Sequence, residues 1–258
     1  MNEGALHIEE RGSGPPGILV HGTPSSPDDF RPLAERLAAH HRVLVPHLPG
    51  YGRSPADPAP RSLDDVSARL ERRLLDMGVS SAIFIAFSGG AYKAVRIALG
   101  TQIHVVSLVL FAPVVGLDPD AAAAFREVAR ATRSGAFNPR LSWLARMTGV
   151  GFSDRDPDGA ARVLGWLEAA PLSVICDELE ATAEAVDLRP HLGELRCRSL
   201  VCAGAADNAV PISWSEDIAR RIPGARFESI ERAGHAVLLE APHHVGRMVE
   251  SFLRGADA

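Results

Sequence analysis

Lysine is all but missing from this chain of 258 residues: Lys93 stands alone among 27 basic side chains. The others are arginine, a bias that suits GC-rich bacterial coding and leaves the chemistry open. Cysteine is nearly as scarce. Cys176, Cys197 and Cys202 cannot all pair, and no C-x-x-C spacing sets up a metal site, so buried thiols are expected. No apolar run approaches the ~20 residues that span a bilayer. The opening Met1-Asn2-Glu3-Gly4-Ala5 lacks the basic patch and apolar stretch of a secretory signal, so a cytoplasmic location is expected. A net charge of -5 leaves no strong positive field, which argues against nucleic acid and anionic membrane as partners. What is present, 46% hydrophobic and 23% charged residues, suits one globular domain able to bury a full core and carry an insertion.

Short apolar runs at Leu6–Glu10, Ile18–His21, Arg42–Pro46, Ala82–Phe87, Val105–Ala112, Ser199–Ala203 and Arg226–Ile230 are too brief and too continuous for amphipathic helices and read as strands. Helical patterns lie between them at Pro27–His40, Leu63–Met77 (with Ser62 and Asp65 as a capping box), Ala91–Leu99, Ser213–Arg221 and Pro242–Leu253. Such alternation predicts an α/β fold: a mostly parallel, doubly wound sheet of about seven strands with helices on both faces. From Asp118 to Pro190 the rhythm breaks into helical segments without a strand. The expected organisation is therefore a core of residues 1–117 and 191–258, carrying a helical lid at 118–190.

Ser88 lies in Ile83-Phe84-Ile85-Ala86-Phe87-Ser88-Gly89-Gly90-Ala91, where a run of β-formers meets an alanine-rich helical stretch. A strand that reverses into a helix within two residues throws the apex side chain into open space, and only small neighbours let the backbones pass. That geometry presents Ser88 as a nucleophile. Ala86 replaces the first glycine of the usual G-x-S-x-G pattern, at the cost of one methyl group at the crowded point.

A serine hydroxyl needs a base to take its proton and a third group to orient that base. Among ten histidines, His235 alone follows a late strand through a short Glu231-Arg232-Ala233-Gly234 loop and precedes a helix. Asp207, in a Gly204-led loop after another strand, is the candidate acid, since its carboxylate would emerge at the strand ends where open α/β sheets bind ligands. Asp118, beyond the preceding strand, is the alternative. For the oxyanion, Gly22 permits a tight exit from the strand Ile18–His21, so that the Thr23 N–H can face the substrate. The Gly89 N–H, at the mouth of a helix, supplies a second donor. His21 is expected to brace this loop.

An H-G-x loop at His21-Gly22-Thr23, a P-G-x-G-x-S segment at Pro49–Ser54, the Ser88 elbow, the Gly204…Asp207 loop and the Gly234-His235 pair follow one another in an order that resembles the α/β-hydrolases over nearly the whole chain. The order Ser88, Asp207, His235 is the family's order of nucleophile, acid and base. His47 stands where the family usually has Asp, which puts the bracing of the neighbouring loop in question. Met1–Gly4 leaves little room for the family's usual first strand. Serine at the elbow is unlike haloalkane dehalogenases and epoxide hydrolases, which use aspartate. Residues 187–252 are similar to the branch of 3-oxoadipate enol-lactonases, carboxylesterases and cofactor-free haloperoxidases.

The resemblance implies hydrolysis of a small carboxylic ester or lactone through an acyl-enzyme on Ser88, with no metal and no organic cofactor. A C–C bond hydrolase, a perhydrolase or a non-catalytic ligand-binding homologue is compatible with the same residues. Lid residues Phe125, Phe137, Trp143, Met147 and Trp166, with Phe152, are candidates for an apolar substrate pocket. Arg126, Arg130, Arg133, Arg140 and Arg146 are candidates to meet a carboxylate on the substrate.

Overall fold

A computed structural model describes residues 6–57, 62–136 and 140–255. Seven strands, β1 (Ile8–Arg11), β2 (Pro16–Val20), β3 (Arg42–Pro46), β4 (Ser81–Phe87), β5 (His104–Phe111), β6 (Arg198–Gly204) and β7 (Arg226–Ile230), form one sheet in the order β1-β3-β2-β4-β5-β6-β7. All pairings are parallel except β1 with β3.

The central strands read as continuous apolar runs because both faces are covered. Along β4, Ile83, Ile85 and Phe87 enter one core while Phe84 and Ala86 enter the other, the period of two that a pleated strand imposes. Helix α1 (Arg31–Leu37) belongs to the first face. Helices α2 (Leu63–Asp76) and α3 (Gly90–Ala98) cover the second. The pattern predicts one helix over Pro27–His40, but the chain forms a 3₁₀ turn, Pro27–Phe30, followed by α1. Pro32 has no N–H to give and sits in the first turn of α1, so a new helix starts there. Ser62 caps α2 by accepting the Asp65 N–H at 3.1 Å, and its hydroxyl donates back to the Asp65 carboxylate at 2.8 Å.

Between β5 (ending at Phe111) and β6 (starting at Arg198) the regular elements among the described residues are all helical: α4 (Pro119–Arg133), α5 (Arg140–Met147), α6 (Phe152–Arg155), α7 (Pro157–Gly165) and α8 (Leu172–Glu184), with 3₁₀ turns at Trp166–Glu168 and Arg189–Glu194. The two ends of this excursion meet where the Leu188 N–H donates to the Val115 carbonyl at 3.0 Å. After β6, α9 (Ile212–Arg221) returns to the second face, and α10 (Val237–Glu240) and α11 (Pro242–Arg254) to the first. Among the described residues no single helix is long and apolar enough to cross a membrane.

Candidate active site

Ser88 follows β4 directly and takes φ +50°, a left-handed conformation that a non-glycine residue adopts only when its surroundings hold it there. Three hydrogen bonds do so. The Ser88 N–H donates to the Phe111 carbonyl at 2.8 Å, and its carbonyl accepts the Ala91 N–H at 3.0 Å, as α3 begins, and the Val114 N–H at 3.2 Å. The loop after β2 presses on this turn. A Cβ on Gly22 would come within 2.8 Å of Ser88 Cβ and 3.0 Å of the Phe87 carbonyl oxygen, so only glycine fits.

The loops after β6 and β7 cross as closely, since a Cβ on Gly204 would lie 2.1 Å from the Gly234 carbonyl oxygen. This crossing brings Asp207 and His235 together. Asp207 Oδ2 lies 2.8 Å from His235 Nδ1, and His235 Nε2 lies 3.0 Å from Ser88 Oγ. The other carboxylate oxygen, Oδ1, accepts the N–H groups of Ala209 and Val210, each at 2.8 Å, which fixes the plane of the carboxylate. Asp207's side chain is fully buried and His235's nearly so, with the imidazole packed on Phe87 at 5.0 Å between ring centroids. Asp118 is exposed and caps α4, accepting the Ala121 N–H at 2.8 Å.

A residue absent from the motif reading supports the histidine loop. The Glu240 carboxylate, in the short α10, accepts the Gly234 N–H and the Gly149 N–H, both at 2.8 Å, and so ties the loop before His235 to the end of α5. Burial raises its pKa, an effect only partly offset by those two donors. A lone acid closing the apolar run Val237-Leu238-Leu239 was its signal in the sequence.

His21 is wholly buried and uses both ring nitrogens. Nε2 accepts the Leu48 N–H at 3.0 Å, which leaves Nδ1–H to donate to the Gly22 carbonyl at 2.9 Å. The loop carrying Thr23 is thus braced against the loop after β3. Burial pushes His21 from the ordinary 6.5 down to about 4. Between those values the unfolded chain binds the proton that the folded protein refuses, so stability from this group is full above pH 6.5 and is lost as pH falls towards 4. The loss is ~1.4 kcal/mol per unit, or about 3 kcal/mol over the window. Asp29, raised by burial to about 6, works the opposite way, favouring the folded state as pH falls. Urea unfolding of the parent and of His21→Gln at pH 7 and 4.5 separates the two: the parent's advantage should shrink by about 2–3 kcal/mol at the lower pH. An equal advantage at both values would contradict the assignment.

His7, Glu9 and His47 are the one group of metal-type donors among the described residues, with ligand atoms within 4.8 Å of one another. They do not fit a cation. The Arg53 N–H donates to His47 Nδ1 at 2.9 Å, which makes Nε2 the protonated nitrogen, and the Arg53 guanidinium sits on Glu9 Oε1 at 2.8 Å. The loop at Pro49–Ser54 is therefore braced by His47 itself, and Ser54 completes the brace by donating to the His47 carbonyl at 2.6 Å.

A cavity of about 280 Å³ stands over Ser88 and His235. Thr23 and Gly89 lie at its base, where the Thr23 amide nitrogen is 3.9 Å from the position a Gly89 Cβ would take. Phe125 of α4, Trp143 and Met147 of α5, and Ile175 of α8 line its walls. The loop after β6 and the start of α9 contribute Val210 and Trp214, which the sequence reading left out. Trp166 is not on the wall. It is 1% exposed and packs on Phe87 at 5.8 Å, filling the core beneath His235, and Phe152 is buried in the same core. Phe137 falls outside the described residues. Of the arginines, Arg130 and Arg133 pair with Glu127 and Asp177, and Arg126 donates to the Ala183 carbonyl, whereas Arg146 reaches the cavity wall. The side chain of Arg140 is outside the described residues.

Comparison with known proteins places these features in a wider set. A model described as "Alpha/beta hydrolase family" matches residues 18–245. A pimeloyl-[acyl-carrier protein] methyl ester esterase of Xanthomonas campestris pv. campestris is 29% identical over 96% of this chain and 98% of its own. Among solved structures, a thermophilic esterase from Thermogutta terrifontis superposes with TM-score 0.89 at 26% identity, covering 98% of this chain and 94% of that one. The enol-lactonase from Burkholderia xenovorans LB400 has the same fold, with TM-score 0.87 at 22% identity and 98% of both chains covered.

Proposed function

The chain belongs to the alpha/beta hydrolase family, and from that membership we propose that it hydrolyses a small carboxylic ester or lactone through an acyl-enzyme on Ser88. The observation that carries this reading is the continuous path from Asp207 through His235 to Ser88 Oγ, with spacings of 2.8 and 3.0 Å, opening into an apolar cavity. Ser88 Oγ attacks the carbonyl carbon while His235 Nε2 takes its proton. Asp207 holds Nδ1–H and stabilises the imidazolium. The Thr23 and Gly89 N–H groups receive the charge that develops on the carbonyl oxygen. His235 then returns the proton to the departing alkoxide, and a water activated by the same ring releases the acid. The helical excursion at 118–190 acts as the lid that shapes the pocket, and no metal or organic cofactor takes part.

The test is a panel of 4-nitrophenyl esters of increasing chain length, aryl and methyl esters, and lactones, run with and without EDTA. Methyl esters are included because the Xanthomonas relative is named for one. A cavity of about 280 Å³, near the small end of ligand pockets, should give a short to medium acyl optimum, and chelation should leave the rate unchanged. Activity lost to EDTA and restored by zinc would replace this mechanism. Acylation without turnover would favour a ligand-binding homologue.

A further inference from the structure

The chain's only lysine is buried. Lys93, at the end of the first turn of α3, is 1% exposed, and its stem folds back so that Nζ donates to the Gly89 carbonyl at 3.3 Å and to Glu178 of α8. A cation held at the N-terminal end of a helix opposes the helix dipole. Stability alone is a weak reason for the arrangement, because apolar residues of similar volume commonly hold a fold as well as a buried ion pair does.

What distinguishes the pair is its position. Glu178, with a side chain 14% exposed, reaches in from the helical excursion. Burial raises its pKa, but the Lys93 charge and hydrogen bond outweigh that and leave it below the usual carboxylate range. Lys93 therefore ties Gly89, a residue whose amide serves the oxyanion in the proposed reaction, to Glu178 of the helical excursion. The triad itself uses neither Lys93 nor Glu178.

Building on the ester-hydrolase reading, we propose that Lys93 and Glu178 are positioning residues that set the Gly89 amide and make the seating of α8 a condition of oxyanion binding. Small errors in such a site are costly: a 1 Å misplacement is worth about a hundredfold in rate, and loss of one donor a hundredfold or more.

The decisive variant is Lys93→Met/Glu178→Leu, which removes both charges, keeps the bulk and strands neither partner. With 4-nitrophenyl acetate as substrate and butylboronic acid as a probe that forms a tetrahedral adduct on serine, kcat and boronate affinity should fall together by at least about tenfold, the scale set by partial misplacement of a donor. KM should change less than about threefold, since ground-state binding does not depend on the donors. The melting temperature should stay close to the parent's. A folded double variant with unchanged kcat and boronate affinity, or with a rise in KM alone, overturns the proposal. If the double variant does not fold, Glu178→Gln, which keeps the shape and still accepts from Nζ, should show the same paired loss at roughly threefold, an intermediate share of the donor effect. No loss there overturns it equally. Phosphonate labelling of the parent separates the two levels: an unlabelled Ser88 defeats the hydrolase reading itself, whereas a labelled Ser88 with an unaffected double variant defeats only the role of the pair.

Discussion

Ser88→Ala should remove ester turnover by a factor on the order of a million, the scale at which loss of a serine nucleophile acts when base and orienting acid are in place. The fold should be unaffected. The bonds that hold the turn join the Ser88 backbone to Phe111, Ala91 and Val114, and survive in alanine. The side chain's own hydrogen bond is the one to His235. Initial rates in the parent and the variant, with circular dichroism to compare the folds, check both halves. Full activity in the variant would mean that the nucleophile is elsewhere.

Asp207→Asn should cost about ten-thousandfold, while Asp118→Asn should cost little. The asymmetry follows from hydrogen bonding. Asp207 Oδ1 is held by the Ala209 and Val210 amides, so asparagine would keep its oxygen there and turn its NH2 towards His235 Nδ1. A donor at that place forces the proton onto Nε2, the nitrogen that must accept from Ser88. Asp118 caps a helix, and asparagine caps helices about as well. Measuring kcat/KM for both variants settles which carboxylate orients the base, and a reversed ranking would move the acid to the loop after β5.

The five inner strands were legible because a doubly covered parallel sheet demands short, unbroken apolar runs, whereas the edge strands β1 and β7 mix apolar with polar residues. Boundaries were less legible. β2 begins at Pro16 and not at Ile18, where the apolar run starts, because backbone pairing with β3 extends beyond it. The single helix expected over Pro27–His40 divides where Pro32 interrupts it. The loops that bring Ser88, Asp207 and His235 together were readable because small residues mark places where backbones nearly touch, as Gly22 and Gly204 do.

The excursion between β5 and β6 was not readable in the same way. Aromatic residues in helical segments announce burial without saying against what, so Trp166 in the core and Trp143 on the cavity wall look alike in sequence. The Lys93–Glu178 contact joins positions 85 residues apart. It depends on how α8 folds back over α3, and no local pattern carries that.

The most direct test of Ser88 as the nucleophile is mass spectrometry of the protein after inactivation by an alkyl fluorophosphonate. One phosphonyl group should appear, on Ser88, in proportion to the activity lost. Label on another residue, or unlabelled Ser88 in protein that has lost its activity, would contradict the account.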